Sequence, residues 1–258
     1  MPHPDETATV RARSFGAIAA AYQAHRPGYP DPALDWALAP LGGPSRLRLL
    51  DLGAGTGKLT ASLVDRGEVT AVEPDPEMLA VLSASLPTVT ALAGTAEAIP
   101  VPDGSIDAVL VGQAFHWFDP EPATAEIARV LRPGGVLAAL WNYEDQSIEW
   151  VRGYYRVVRA AEALGTDQPA PKRTGLEDHP AFERAATGMF DNPLAITVEG
   201  LLDNLATFSW ISTLPDTERR SRMAQARAYL CARPETSEGT FELPLRTTVL
   251  RAVRRAGA

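Results

Sequence analysis

The 258-residue chain holds one cysteine, Cys231, so it can form no intrachain disulfide and its composition fits a reducing compartment. Histidine is almost as scarce. His3, His25, His116 and His179 lack partners at i,i+4 or CxxC-type spacing, which argues against a bound metal. No apolar run approaches the roughly 18 residues of a membrane span. The opening Met1-Pro2-His3-Pro4-Asp5-Glu6 has neither the basic nor the apolar region of a signal peptide. Positive charge is in deficit: 24 Lys and Arg against 32 Asp and Glu give a formal charge of -8, the wrong sign for a nucleic-acid partner. Arg251, Arg254 and Arg255 do cluster near the end, where a solvated strand end accounts for them. The expectation is a cytoplasmic protein without metal, membrane or nucleic-acid partners. With 45% hydrophobic and 22% charged residues, the chain suits one large α/β domain.

What the chain does have is a glycine loop. Leu49-Leu50-Asp51-Leu52 runs into Gly53-Ala54-Gly55-Thr56-Gly57-Lys58, and a second apolar run, Val69 to Val72, ends on Glu73-Pro74-Asp75. A buried strand turning sharply into a helix lets backbone approach a ligand that a Cβ would block. An acidic residue ending the next strand can accept hydrogen bonds from a ribose diol. Together they imply a nucleoside-containing cofactor. A P-loop would need G-x-x-x-x-G-K-[ST] and fails here at Leu52 and Leu59. A dinucleotide fingerprint would need a small third residue, and this chain has Lys58.

Strands are predicted at 47–52, 69–72, 89–93, 106–111 and 136–141, with helices at 32–39, 58–65, 76–86 and 122–131 between them. Arg132-Pro133-Gly134-Gly135 should break the chain before the fifth strand. This alternation predicts βαβ units and a doubly wound parallel sheet. A helix from Phe15 to about Ala24, capped by Ser14, should precede the core. Beyond Asn142 the alternation stops. Helices are predicted over 148–164, 197–208 and 215–230, a sixth strand within 182–190 and a last strand over 241–253. The expected organisation is a single domain: cofactor-covering helices in 1–45, a cofactor core in 46–142, and a helical lid with the last two strands in 143–258.

The loop Asp51-x-Gly53-x-Gly55-x-Gly57 resembles motif I of the class I S-adenosylmethionine-dependent methyltransferases. The similarity extends over about 15–142 through Gly94-Thr95-Ala96-Glu97, Asp103-Gly104-Ser105-Ile106-Asp107 and Leu131-Arg132-Pro133-Gly134-Gly135. Phe15 to Pro30, ending Arg26-Pro27-Gly28-Tyr29-Pro30, and Gly112-Gln113-Ala114-Phe115-His116-Trp117 resemble the trans-aconitate and ubiquinone-biosynthesis-like small-molecule subgroup. This likeness implies a seven-stranded, mostly parallel sheet whose last strand is antiparallel.

It also implies S-adenosylmethionine as cofactor. The glycine loop (Asp51, Gly53, Ala54, Gly55, Gly57) would hold it, with Glu73, Pro74 and Met78 at the ribose and Thr95, Ala96 and Glu97 around the adenine. Many relatives carry Asp where this chain has Thr95. Tyr22 and Arg26 would close over the cofactor, Arg26 pairing with the methionyl carboxylate, and Gln113 would lie along the methionine. A small-molecule acceptor would sit under the lid against Trp117, Trp141 and Tyr143. His116 is the candidate base for a hydroxyl acceptor, whereas a carboxylate acceptor needs none and would call on Arg152 or Arg156. Oxygen is the expected methyl acceptor. The alternatives are a nicotinamide-dependent oxidoreductase and a cofactor-binding regulatory protein without turnover.

Overall fold

A computed structural model of the chain describes residues 27–42, 46–159, 179–206, 208–237 and 239–256. The predicted helix from Phe15 to Ala24 lies outside the described residues, as do Tyr22 and Arg26. The described residues open with α1 (Asp31–Leu38) and a short 3-10 turn. It continues through β1 (Leu47–Leu52), α2 (Lys58–Leu63), β2 (Gly67–Glu73), α3 (Pro76–Ser85), β3 (Thr90–Ala93), β4 (Ile106–Gly112), α4 (Pro120–Val130) and β5 (Leu131–Glu144). Then follow α5 (Glu149–Arg159), β6 (Ala186–Asp191), β7 (Leu194–Thr197), α6 (Val198–Ala206), α7 (Ser209–Ser212), α8 (Asp216–Cys231), β8 (Thr240–Leu243) and β9 (Leu245–Val253).

Seven strands form one sheet in the order β3-β2-β1-β4-β5-β9-β6. β9 runs antiparallel between β5 and β6, and the first five strands pair in parallel. The predicted sheet is therefore present, strand count and antiparallel member included. The central strands read as continuous apolar runs because both of their faces are covered. Their alternation divides two cores. Leu49, Ala108, Leu110, Val136, Ala138 and Leu140 face α1 and α2, while Leu50, Leu52, Val109, Val111, Leu137 and Ala139 face α4.

Local chemistry sets the boundaries. Asp75 caps α3, its Oδ1 accepting from the amides of Glu77 at 2.8 Å and Met78 at 3.1 Å, with Pro76 opening the helix. Two expectations need correction. Arg132-Pro133-Gly134-Gly135 does not precede β5 but lies within it, as an irregularity where the register with β4 shifts and Gly134 takes φ +74°. The predicted strand over 241–253 is two strands, because Pro244 offers no amide hydrogen to a ladder. Before it β8 pairs with β7 in a separate two-stranded sheet, and after it β9 enters the main sheet. The sixth strand, expected within 182–190, occupies Ala186–Asp191. Phe182 instead anchors its approach, buried in the α4-side core and bridged to Arg254.

The segments between β5 and β6 and between β6 and β9 share a third core. Trp150, Val151 and Tyr154 of α5 pack with Leu201, Leu202 and Leu205 of α6, Leu230 of α8 and Phe241 of β8.

Candidate active site

The site lies where β1, β4 and β5 present their carboxyl ends side by side, since neighbouring crossovers leave a crevice there. A cleft opens at this edge. Its walls include Asp51, Gly53, Ala54 and Gly55 from the first loop, Gln113 after β4, and Asn142 near the end of β5.

Asp51, the penultimate residue of β1, is fully buried. Its Oδ2 accepts a 2.6 Å hydrogen bond from Thr60 Oγ1, and its buried Oδ1 has no partner among the described residues, in a side chain that lines the cleft. Burial raises its pKa to about 7, against the pull of the Thr60 hydrogen bond and with help from the charge of Glu73. A buried, unpartnered carboxylate oxygen at a cleft wall is a receptor for a cationic hydrogen-bond donor.

Glu73 ends β2 and is buried. It clasps the glycine loop, accepting from the Gly55 amide through Oε2 at 2.8 Å and from the Asp75 amide through Oε1 at 2.9 Å. Burial raises its pKa against these backbone hydrogen bonds. Each oxygen keeps a second lone pair, so a carboxylate already fixed in place can still accept from a hydroxyl.

The loop needs glycine for two different reasons. At Gly53, φ is +69° and a Cβ would lie 2.8 Å from that of Ala114, so both conformation and space exclude a side chain. At Gly55, φ is +57° but a Cβ would meet only Met78 Sδ at 3.8 Å. Open space therefore lies on that side of Gly55. Gln113 is the only described non-glycine residue with positive φ, +56°. Its amide donates to Leu140 O at 2.8 Å and its Nε2 to Asn142 O at 3.0 Å, which ties the β4 exit to the β5 end. Held strain of this kind clusters where a side chain must be aimed.

The remaining predicted residues fall in different places. Pro74 is exposed beside Glu73, and Met78 is buried beneath Gly55. Thr95 is exposed and bridged to Ala98, while Ala96 is buried in the α4-side core. Glu97 Oε1 accepts from the Asp119 amide at 3.0 Å, at the start of α4. His116 and Trp117 occupy an exposed 3-10 turn after β4, their rings 4.7 Å apart, and neither borders the cleft described above. Trp141 is buried, edge-on to Phe115 at 6.5 Å. Tyr143 is half-buried, and burial raises its pKa. Arg152 and Arg156 are exposed on α5.

Sequence reading overlooked Tyr29, Lys58 and Asn142, which also line the cleft. A Cβ on Gly112 would lie 2.5 Å from the Tyr29 hydroxyl, so that ring lies against the end of β4. Asn142 Nδ2 donates to Gly28 O at 3.0 Å, Asn192 Nδ2 donates to the same oxygen at 2.9 Å, and Thr247 Oγ1 donates to Asn142 Oδ1 at 2.5 Å. These bonds hold residues 27–30 against the sheet edge. The available signal was positional, since residues just beyond parallel strands line such crevices.

The donor set fits S-adenosylmethionine: a lone buried carboxylate oxygen for an ammonium, a pinned carboxylate for a diol, and a loop with glycine at 53, 55 and 57. Comparison with known proteins agrees. The methyltransferase-domain family matches residues 50–139. An uncharacterized methyltransferase of Mycobacterium tuberculosis is 43% identical over 242 residues, 93% of this chain and 95% of the relative. The malonyl-[acyl-carrier protein] O-methyltransferase of Methylococcus capsulatus is 40% identical over 103 residues, 37% of this chain and 38% of the relative. Among solved structures, a putative type II methyltransferase from Anaeromyxobacter dehalogenans superposes with a TM-score of 0.66 at 28% identity, covering 90% of this chain and 97% of that one. Glycine cradle, paired carboxylates, strand order and full-length likeness converge: the chain belongs to the class I S-adenosylmethionine-dependent methyltransferases.

Proposed function

We propose that the protein methylates an oxygen, carboxylate or hydroxyl, of a small-molecule acceptor held beside the carboxyl ends of β4 and β5. The observation that carries the cofactor assignment is that Asp51 lines the cleft with a buried Oδ1 that no described residue partners. Asp51 would take the methionyl ammonium, Glu73 the ribose hydroxyls, and Gly53, Ala54, Gly55 and Gly57 the close approach of backbone. Pro74, Met78, Thr95, Ala96 and Glu97 would border the ribose and adenine. Gln113, fixed by two hydrogen bonds, would align the methionine chain.

When bound, S-adenosylmethionine supplies an already electrophilic sulfonium methyl group. The chain's own task is then to position an acceptor and to exclude water. The third core, over α5, α6 and α8, is the structure we assign as lid, with Trp117, Trp141 and Tyr143 on the acceptor side. His116 would take the proton of a hydroxyl acceptor, and a carboxylate would need no such base. The choice of oxygen draws on the subgroup likeness and on the O-methyltransferase of Methylococcus capsulatus, whose matching portion spans little more than a third of this chain.

Transfer of labelled methyl from S-adenosylmethionine across a panel of carboxylates, phenols, alcohols and amines tests this reading. Label should reach carboxylates or hydroxyls. Label found only on nitrogen or carbon would overturn it. For a hydroxyl acceptor, His116→Ala should lower kcat by about 100-fold; an unchanged rate would remove His116 from the chemistry.

A further inference from the structure

Lys58 entered the sequence reading only as the residue that spoils a dinucleotide fingerprint. In the structure it is half-buried and lines the same cleft as Asp51. Burial lowers its pKa, and no carboxylate among the described residues pairs with its ammonium. Asp51 Oδ1, fully buried, is likewise without a partner. The two do not form an ion pair with each other. One cleft thus displays a cation and an anion that no described residue pairs, seven residues apart in sequence. Partial desolvation of an ammonium is unfavourable unless an anion compensates. The complementary ligand group carries both charges close together, as an α-amino acid zwitterion does.

We propose that Lys58 binds the carboxylate of the cofactor's methionyl group, opposite Asp51 at the ammonium. The proposal rests on the assignment of the cleft to S-adenosylmethionine and adds a binding residue to it. It also assigns the product's retention: S-adenosylhomocysteine keeps both charges, whereas its thioether is neutral. Lys58 therefore acts on substrate and product alike and contributes uniform binding rather than transition-state stabilisation. Its loss should raise KM for the cofactor and leave kcat nearly unchanged.

The test is calorimetric binding of two ligands to the whole protein: S-adenosylhomocysteine, and its decarboxylated analogue, which keeps the amine and lacks only the carboxylate. Lys58→Met should weaken S-adenosylhomocysteine by about 10- to 100-fold, the scale of a lost charge-assisted hydrogen bond. It should leave the decarboxylated analogue unchanged, and Lys58→Arg should restore most of the loss. Equal weakening of both ligands would overturn the proposal, since Lys58 would then act through loop geometry. Unchanged affinity for S-adenosylhomocysteine would overturn it as well. Failure of the unsubstituted protein to bind S-adenosylhomocysteine would sink the cleft assignment itself, a distinct result.

Discussion

Asp51→Asn is expected to stabilise the ligand-free fold at alkaline pH while weakening cofactor binding. Burial raises the Asp51 carboxyl to about 7 in the folded protein, and an unfolded aspartate titrates near its ordinary value of about 3.9. Between those values the folded chain holds a proton that the unfolded chain has released, so stability falls as pH rises through the window. Three pH units correspond to on the order of 4 kcal/mol, and water in the open cleft brings the realised cost closer to about 2 kcal/mol. Asparagine removes the titration and can still accept the Thr60 hydroxyl through Oδ1. At pH 8 the variant should therefore melt about 5 °C above the unsubstituted protein. Below pH 4 the two should differ little. S-Adenosylhomocysteine should bind the variant about 10- to 100-fold more weakly, because a neutral amide replaces the anion proposed to take its ammonium. Calorimetric melts at both pH values, with and without ligand, measure all of this. A variant that melts lower at pH 8, or that binds S-adenosylhomocysteine unchanged, would refute the reasoning.

Three further outcomes follow from particular contacts. Glu73→Gln keeps shape but turns one acceptor into a donor facing an amide of Gly55 or Asp75, so it should cost about 1–3 kcal/mol in stability and reduce ligand affinity, read by denaturant titration and calorimetry. Gly53→Ala meets both a positive φ and the Cβ of Ala114, and about 2–4 kcal/mol of destabilisation is expected in urea melts; a neutral result would mean that the loop relocates freely. Asp107 is buried, which alone would raise its pKa, but hydrogen bonds from Arg48 and Arg132 hold it well below the usual carboxylate range. Its stabilisation is present above pH 4 and is lost as acid protonates it below its ordinary value. Asp107→Asn should therefore destabilise at pH 7 by about 3 kcal/mol, flatten the acid limb of the stability profile, and leave S-adenosylhomocysteine affinity unchanged.

Local signals carried far into the fold. Apolar runs located β1 to its residue and β2 to β4 to within two, the Asp75-Pro76 pair marked the start of α3, and the glycine spacing marked the loop. The small sheet was not legible, because Phe241 to Val253 alternates continuously except for the missing amide of Pro244. Which partner β8 finds depends on a segment almost fifty residues away, Leu194 to Thr197.

By itself the sequence determined the glycine-loop edge: a strand, a turn that only glycine can make at Gly53, and acidic residues at 51 and 73, all written within one βαβ unit. The tertiary structure decided which distant residues complete it. Parallel pairing sets β4 beside β1 and β5 beside β4, which carries Gln113 and Asn142 to Asp51. Strand adjacency arises from packing of the whole sheet and has no local periodicity to announce it. Only that packing leaves Asp51 Oδ1 without a partner and puts Lys58 in the same cleft, a pair of charges that spacing alone presents as unrelated.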